Sequence, residues 1–168
     1  HIKIKVDSEN KSELNLNLRI PIWSNRTIVK LNGKEIDNIR GNYCTITNKW
    51  DNDIIEIDLD MSLHFWIAEK TSGIGNKVSV YYGPLLLGAE ESDTVRKTMK
   101  LDYNLLINAT IKPSKNGFVE VEAITTIGKD ITLKDYAQLG KNNESYFTWL
   151  SVSDHNLEAK VFSKENMP

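Results

Sequence analysis

The residues of this chain able to do chemistry are few and scattered. Cys44 is the only thiol, the histidines are His1, His64 and His155, and the acids Asp51, Asp53, Asp58 and Asp60 punctuate "WDNDIIEIDLD". A nucleophilic cysteine needs a neighbouring cation, metal or helix N-terminus to lower its pKa. Cys44 instead shares a strand face with Ile46, which points it into a core, a common place for a free thiol. A zinc site needs three or four converging ligands, and none of the histidines has a partner at ligand spacing. His64, in "MSLHFWI", reads as a solvated or interface histidine. Two carboxyls about 5–10 Å apart would suit glycoside hydrolysis. Here Asp58 and Asp60 alternate along the wet face of a strand, and the run lacks the glycine and terminal glutamate of a calcium loop. The expectation is that this chain holds no catalytic residue, no metal and no cofactor.

Aromatic side chains are the remaining candidates, because an exposed ring can stack on the apolar face of a sugar at little entropic cost. Trp66 and Trp149 fall on strand faces opposite their more apolar neighbours. With Tyr81 and Tyr43 they are the candidate contacts, either with carbohydrate or, preferably, with another domain of a longer protein. Trp23 and Trp50 follow inward-facing runs and read as core or corner residues. Asn25-Arg26-Thr27, Asn108-Ala109-Thr110 and Asn143-Glu144-Ser145 match the glycosylation pattern, but chance matches are expected in a chain this rich in asparagine.

The elements that must position these residues are strands. Leu14, Leu16, Leu18 and Ile20 alternate with polar residues, and so do Ile55, Ile57 and Leu59. Val78, Val80 and Tyr82 repeat the pattern, as do Val119, Val121 and Ala123. Period two with one dry face is the signature of antiparallel sheets. Asn32-Gly33, between "TIVKL" and "KEI", predicts a tight hairpin, since a type I′ turn needs φ > 0 at both central residues. Further turns are expected at 50–53, 72–77 and 113–117. No window sustains a helical period for three turns; the best helical candidate is a short turn in "LKDYAQLG", closed by Gly140. The fold expected is all-β, an antiparallel, jelly-roll-like β-sandwich. A larger N-terminal sandwich over 1–91, a linker or crossover over 92–104 and a smaller β domain over 105–168 would account for the loss of periodicity after "YYGPLLLGAEE". One sandwich over 1–168 is the alternative.

Bulk properties narrow the partners. The chain has 168 residues with a net charge of −2 and no basic stripe, so nucleic acid is not an expected partner. Apolar runs are too short for a membrane span. A soluble protein is expected, and a single cysteine leaves its compartment open. The chain begins at His1 rather than Met, as expected of a piece cut or processed from a longer polypeptide.

Four segments in order carry a resemblance: "LNLRIPIWS", the "LNGKEI" hairpin, "GNYCTITNKWDNDIIEIDLDM" and "NKVSVYYGPLLLGAEE". Together they resemble the β-rich C-terminal part of glycoside hydrolase family 127, and "ITLKDYAQLGKNNESYFTWLSV" resembles that family's closing segment. Departures are Asn52, where a glycine is usual before the second acid, Asn48, where arginine is common, and an extension over 153–168. The family's enzymes remove β-L-arabinofuranosyl and related sugars. The resemblance implies a cysteine nucleophile and carboxylates around a zinc ion, all on an α-helical toroid N-terminal to these β domains. It therefore implies that the chemistry lies outside this chain. By the same resemblance, the expected partner is the parent's own N-terminal catalytic domain, with carbohydrate as a second.

Overall fold

A computed structural model describes residues 1–9, 11–67, 77–92, 99–113, 117–153 and 160–161. The chain divides into two units, His1–Met61 and Ser62–Met167, and strands dominate both, as the alternation predicts.

In the first unit, β1 (Ile2–Val6), β2 (Glu13–Arg19), β3 (Ile28–Leu31), β4 (Lys34–Ile36), β5 (Tyr43–Lys49) and β6 (Asp53–Asp58) form two antiparallel sheets. One runs β1-β6-β3-β4; the other is the pair β2-β5. Alternation puts Ile55 and Ile57 of β6, Val29 of β3 and Cys44 and Ile46 of β5 into one buried cluster with Ile20 and Trp50. Burial of these side chains contributes roughly 1.5–3 kcal/mol each relative to exposure. The other face of the four-stranded sheet is built for water. Its register aligns Lys3 with Glu56, Glu56 with Lys30 and Lys30 with Glu35, opposite charges facing across every strand pair. The outer face of β2-β5 sets Glu13 opposite Lys49 at one end, and along its middle Thr45 Oγ1 donates to Asn17 Oδ1 at 2.7 Å and Thr47 Oγ1 to Asn15 Oδ1 at 2.8 Å.

The Asn-Gly turn forms where expected, joining β3 to β4 with Asn32 at φ 50° and Gly33 at φ 80°. Asn52, the departure from the family's glycine, stands at φ 59° in the β5–β6 turn. Asparagine is among the few side-chain-bearing residues that adopt this region readily.

The second unit holds β7 (Leu63–Ile67), β8 (Lys77–Tyr82), β9 (Leu85–Glu90), α1 (Tyr103–Leu106), β10 (Ile111–Pro113), β11 (Val119–Ile124), β12 (Asp130–Asp135), β13 (Tyr146–Phe147), β14 (Leu150–Ser151) and β15 (Lys160–Val161). Its sheet runs β10-β11-β12-β9-β8-β7-β15, with β13 paired to β9 and β14 to β8. "YYGPLLL" folds as a hairpin: Gly83, at φ 54°, and Pro84 turn β8 back into β9, with Tyr82 facing Leu85. Beyond this turn the hairpin parts. β9 takes β12 and then β13 as its other partners, while the start of β8 pairs with β14. The core is Val78, Val80, Leu87, Val121, Ala123, Leu133 and Leu150, joined by Leu101 and Leu106.

The structure moves the expected boundary. Division falls after Met61 rather than at 91, and the smaller unit comes first. The reason is strand pairing: β9 bonds to β12 across the supposed linker, which binds β7–β9 to the later strands. Of that linker, 93–98 lie outside the described residues, but Leu101 is fully buried and α1 follows it. Asp102 caps α1, its Oδ1 accepting from Leu105 N–H at 3.1 Å. The expected turn in "LKDYAQLG" is a single 3-10 turn, Tyr136–Gln138, followed by Gly140 at φ 68°. The expected connection at 72–77 lies outside the described residues except Lys77, and that at 113–117 except its two ends. His155 and most of 153–168 also lie outside them. No helix among the described residues is long and apolar enough to cross a membrane.

Candidate functional site

Cys44 sits near the start of β5 opposite Leu18 and is 4% exposed. Its nearest polar partner is the Asp37 carbonyl, 3.8 Å from Sγ, and burial pushes the thiol above its ordinary 9.0. A thiol raised by burial is inert as a nucleophile at neutral pH. We expect no labelling of Cys44 by a thiol reagent in the native protein and one equivalent in denaturant. Rapid native labelling would show that the strand does not hold it inside.

Each acid is engaged in holding the first unit together. Asp53 accepts from Asn32 Nδ2 at 2.7 Å, Asn48 Nδ2 at 3.0 Å and the Asp51 N–H at 2.9 Å. Asn32 in turn accepts from Ile54 N–H at 2.8 Å, so the β3–β4 and β5–β6 turns are tied to each other. Asn48, the second departure from the family, is one of the donors. Asp51 pairs with Lys11 at 2.7 Å, Asp58 with His1 at 2.7 Å, and Asp60 with Arg26 at 3.6 Å. No group of three metal-ligating side chains occurs among the described residues.

These contacts make a pH prediction. The Asn32 amide, the Asp51 N–H and the Asn48 amide hold the Asp53 carboxyl below its ordinary 3.8, and the Lys11 ammonium does the same for Asp51. A carboxylate whose folded pKa is depressed stabilises the fold above its unfolded value and ceases to do so as pH falls through the folded one. Asp53→Ala is therefore expected to lower the thermal midpoint at neutral pH. The gap from the parent should narrow steadily below about pH 3.8. A gap independent of pH would mean that the carboxylate's charge has no part in the turn.

The aromatic candidates separate. Trp66 of β7 faces Ser79 of β8 and is only 6% exposed, so it is not offered to a ligand. Tyr81, half-buried, stacks on His64 with centroids 5.4 Å apart and planes 13° off parallel, and meets Trp66 edge-on at 6.5 Å. Alternation correctly placed His64, Trp66 and Tyr81 on the face opposite the core, but that face is covered as well. Trp149, half-buried, lines a cleft of about 230 Å³ with Lys77, Met99, Phe147 and Ser151. Tyr43 belongs to the first unit, is 56% exposed, and has the Arg19 guanidinium 6.0 Å from its ring centre. Within the second unit, buried Trp66 cannot share an exposed platform with Tyr81 and Trp149. Of the tryptophans read as plugs, Trp50 is fully buried and Trp23 half-buried.

One aromatic arrangement escaped the sequence reading. Tyr136 and Tyr146 are 49% and 41% exposed, their rings 5.8 Å apart at 79° and their hydroxyls 3.5 Å apart. The local signal was Gly140. A Cβ there would stand 3.1 Å from Cε1 of Tyr146, so the glycine lets that ring lie over the backbone.

Residues 1–61 match the family model described as Beta-L-arabinofuranosidase, GH127 middle domain. This meets the resemblance read from "LNLRIPIWS" onward over its first part. Among solved structures, a protein described as a glycoside hydrolase is similar over 90% of this chain at 17% identity and a TM-score of 0.75. A family 127 β-L-arabinofuranosidase from Geobacillus stearothermophilus T6 is similar over 90% at 20% identity and 0.73. Another family 127 β-arabinofuranosidase is similar over 84% at 21% and 0.63. This chain covers 30%, 28% and 28% of those chains, less than a third of each. No curated protein gives a match.

Proposed function

We propose that this chain is the non-catalytic β region of a glycoside hydrolase whose parent acts on β-L-arabinofuranosyl or related sugars, and that it packs on the parent's catalytic domain. The observation that carries the reading is the match of residues 1–61 to the middle-domain model, continued by a shared fold over 90% of the chain in glycoside hydrolases about three times as long. The chemistry of the side chains agrees. The one thiol is buried and raised in pKa, and Asp51, Asp53, Asp58 and Asp60 each bond a neighbour. Zinc, in this reading, belongs to the catalytic domain alone.

The test is an assay of the purified chain with an aryl β-L-arabinofuranoside. No turnover above the uncatalysed rate is expected. Turnover that follows the folded protein and is abolished by Cys44→Ala would overturn the reading, since it would place the nucleophile here.

A further inference from the structure

We propose that Tyr136 and Tyr146 form a binding notch for a single sugar residue, one ring serving as floor and the other as wall. The two rings stand nearly perpendicular at 5.8 Å, each close to half exposed. A saccharide ring has an apolar C–H face and a rim of hydroxyls. The notch offers the complement: an aromatic face to stack on and two phenolic hydroxyls at its edge, each able to donate or accept. The contact with the Tyr136 hydroxyl raises Tyr146 above its ordinary 10.

The notch is held rather than floppy. Asp135, buried, accepts from Ala137 N–H at 2.9 Å and fixes the turn that carries Tyr136. Leu139, one residue past that turn, is 9% exposed and lies against Gly88. Tyr146 is fixed by its pairing with Glu90 on β9 and by the backbone of Gly140 beneath its ring. Rings held in place lose little freedom when a ligand arrives.

The surroundings favour sugar over a protein partner. Lys141, Asn142, Asn143 and Glu144, which connect the two tyrosines, are all exposed and polar. The apolar surface is two ring faces inside a polar border. A stable protein interface buries about 800 Å² per partner around an apolar centre, far more than two rings supply. The choice of arabinose-containing probes rests on the function proposed above; the notch itself rests on the geometry of the two rings.

The experiment is titration of the whole 168-residue chain with arabino-oligosaccharides and, in parallel, with xylo- and gluco-oligosaccharides, followed by calorimetry and by amide chemical shifts. Weak saturable binding is expected, with shifts centred on 136–146. Tyr136→Ala and Tyr146→Ala should each weaken it by about tenfold, the scale of one lost aromatic stack. Tyr136→Phe keeps the ring and should retain most of the affinity, which guards against a variant that merely misfolds. Absence of binding to all three sugar classes by the folded chain overturns the notch while leaving the accessory role intact. Binding untouched by both alanine substitutions also overturns it. Binding of xylo- or gluco-oligosaccharides alone supports the notch and detaches it from the parent's proposed substrate.

Discussion

Trp50→Ala is expected to unfold the His1–Met61 unit at room temperature. The side chain is 2% exposed, closes β5, and packs among Ile20, Val29, Cys44, Ile46, Ile55 and Ile57. Its indole N–H donates to the Leu14 carbonyl at 3.0 Å, tying the end of β5 back to β2. Truncating a buried aromatic to alanine costs about 3–5 kcal/mol. A unit of this size has a total stability of roughly 3–9 kcal/mol at the usual yield per residue. At the middle of both ranges, about 4 of about 6 kcal/mol, the substitution removes some two thirds of what is there. Trp50→Phe separates the two contributions. It keeps most of the buried area but removes the bond to the Leu14 carbonyl, a loss of about 0.5–1.5 kcal/mol. Amide spectra decide the matter: collapse of dispersion for Val29, Ile55 and Ile57 in the alanine variant, and preserved dispersion with a lower denaturation midpoint in the phenylalanine variant. An alanine variant within about 1 kcal/mol of the parent would show that the corner can close without the indole.

The second large effect is expected at Gly88, whose role is space rather than backbone freedom. A Cβ there would stand 2.6 Å from the Phe147 carbonyl oxygen and 2.6 Å from Leu139 Cδ1. The leucine methyl can rotate away. The carbonyl cannot, because Phe147 is locked to Ala89 in the β13–β9 pairing. Gly88→Ala should cost about 2–3 kcal/mol, at the upper end of overpacking, and Gly88→Val more. Gly128→Ala is the control: nothing lies within 4 Å of its Cβ, and its φ of 76° is the only obstacle. About 1 kcal/mol is expected there. Equal losses at the two glycines, measured by chemical denaturation, would show that β13 yields instead of the new methyl.

What could be read in advance follows from how local each signal is. The Asn32-Gly33 hairpin was legible because both torsions are decided by two adjacent residues. Alternation likewise sorted Val78, Val80 and Val121 from their polar neighbours, since burial of one face imposes a period of two. The unit boundary was not legible. It depends on β9 bonding to β12, some forty-five residues later, and no local composition records a partner so distant. α1 is a single turn, too short for a helical period, and only Asp102 marked it. Trp66 shows the limit of alternation itself. The pattern tells which face a side chain occupies, not whether a second layer covers that face. The Tyr136–Tyr146 pair escaped for the same reason: two exposed rings ten residues apart meet only because the chain turns back through Gly140.

The parting of β8 from β9 also has a consequence for synthesis. The partners that fill the space between them, β13 and β14, are among the last strands made. As the chain leaves the ribosome, the first unit has all six of its strands by Asp58 and can complete its hydrogen bonds at once. In the second, β8 and β9 must wait until Ser151 has emerged, their ends carrying open N–H and C=O groups meanwhile, and β7 until Val161. Such open edges are where one growing chain can bond to another. A ribosome stalled before residue 146 would therefore present a finished first unit followed by an adhesive one, and expression should be most sensitive to slow codons in that interval.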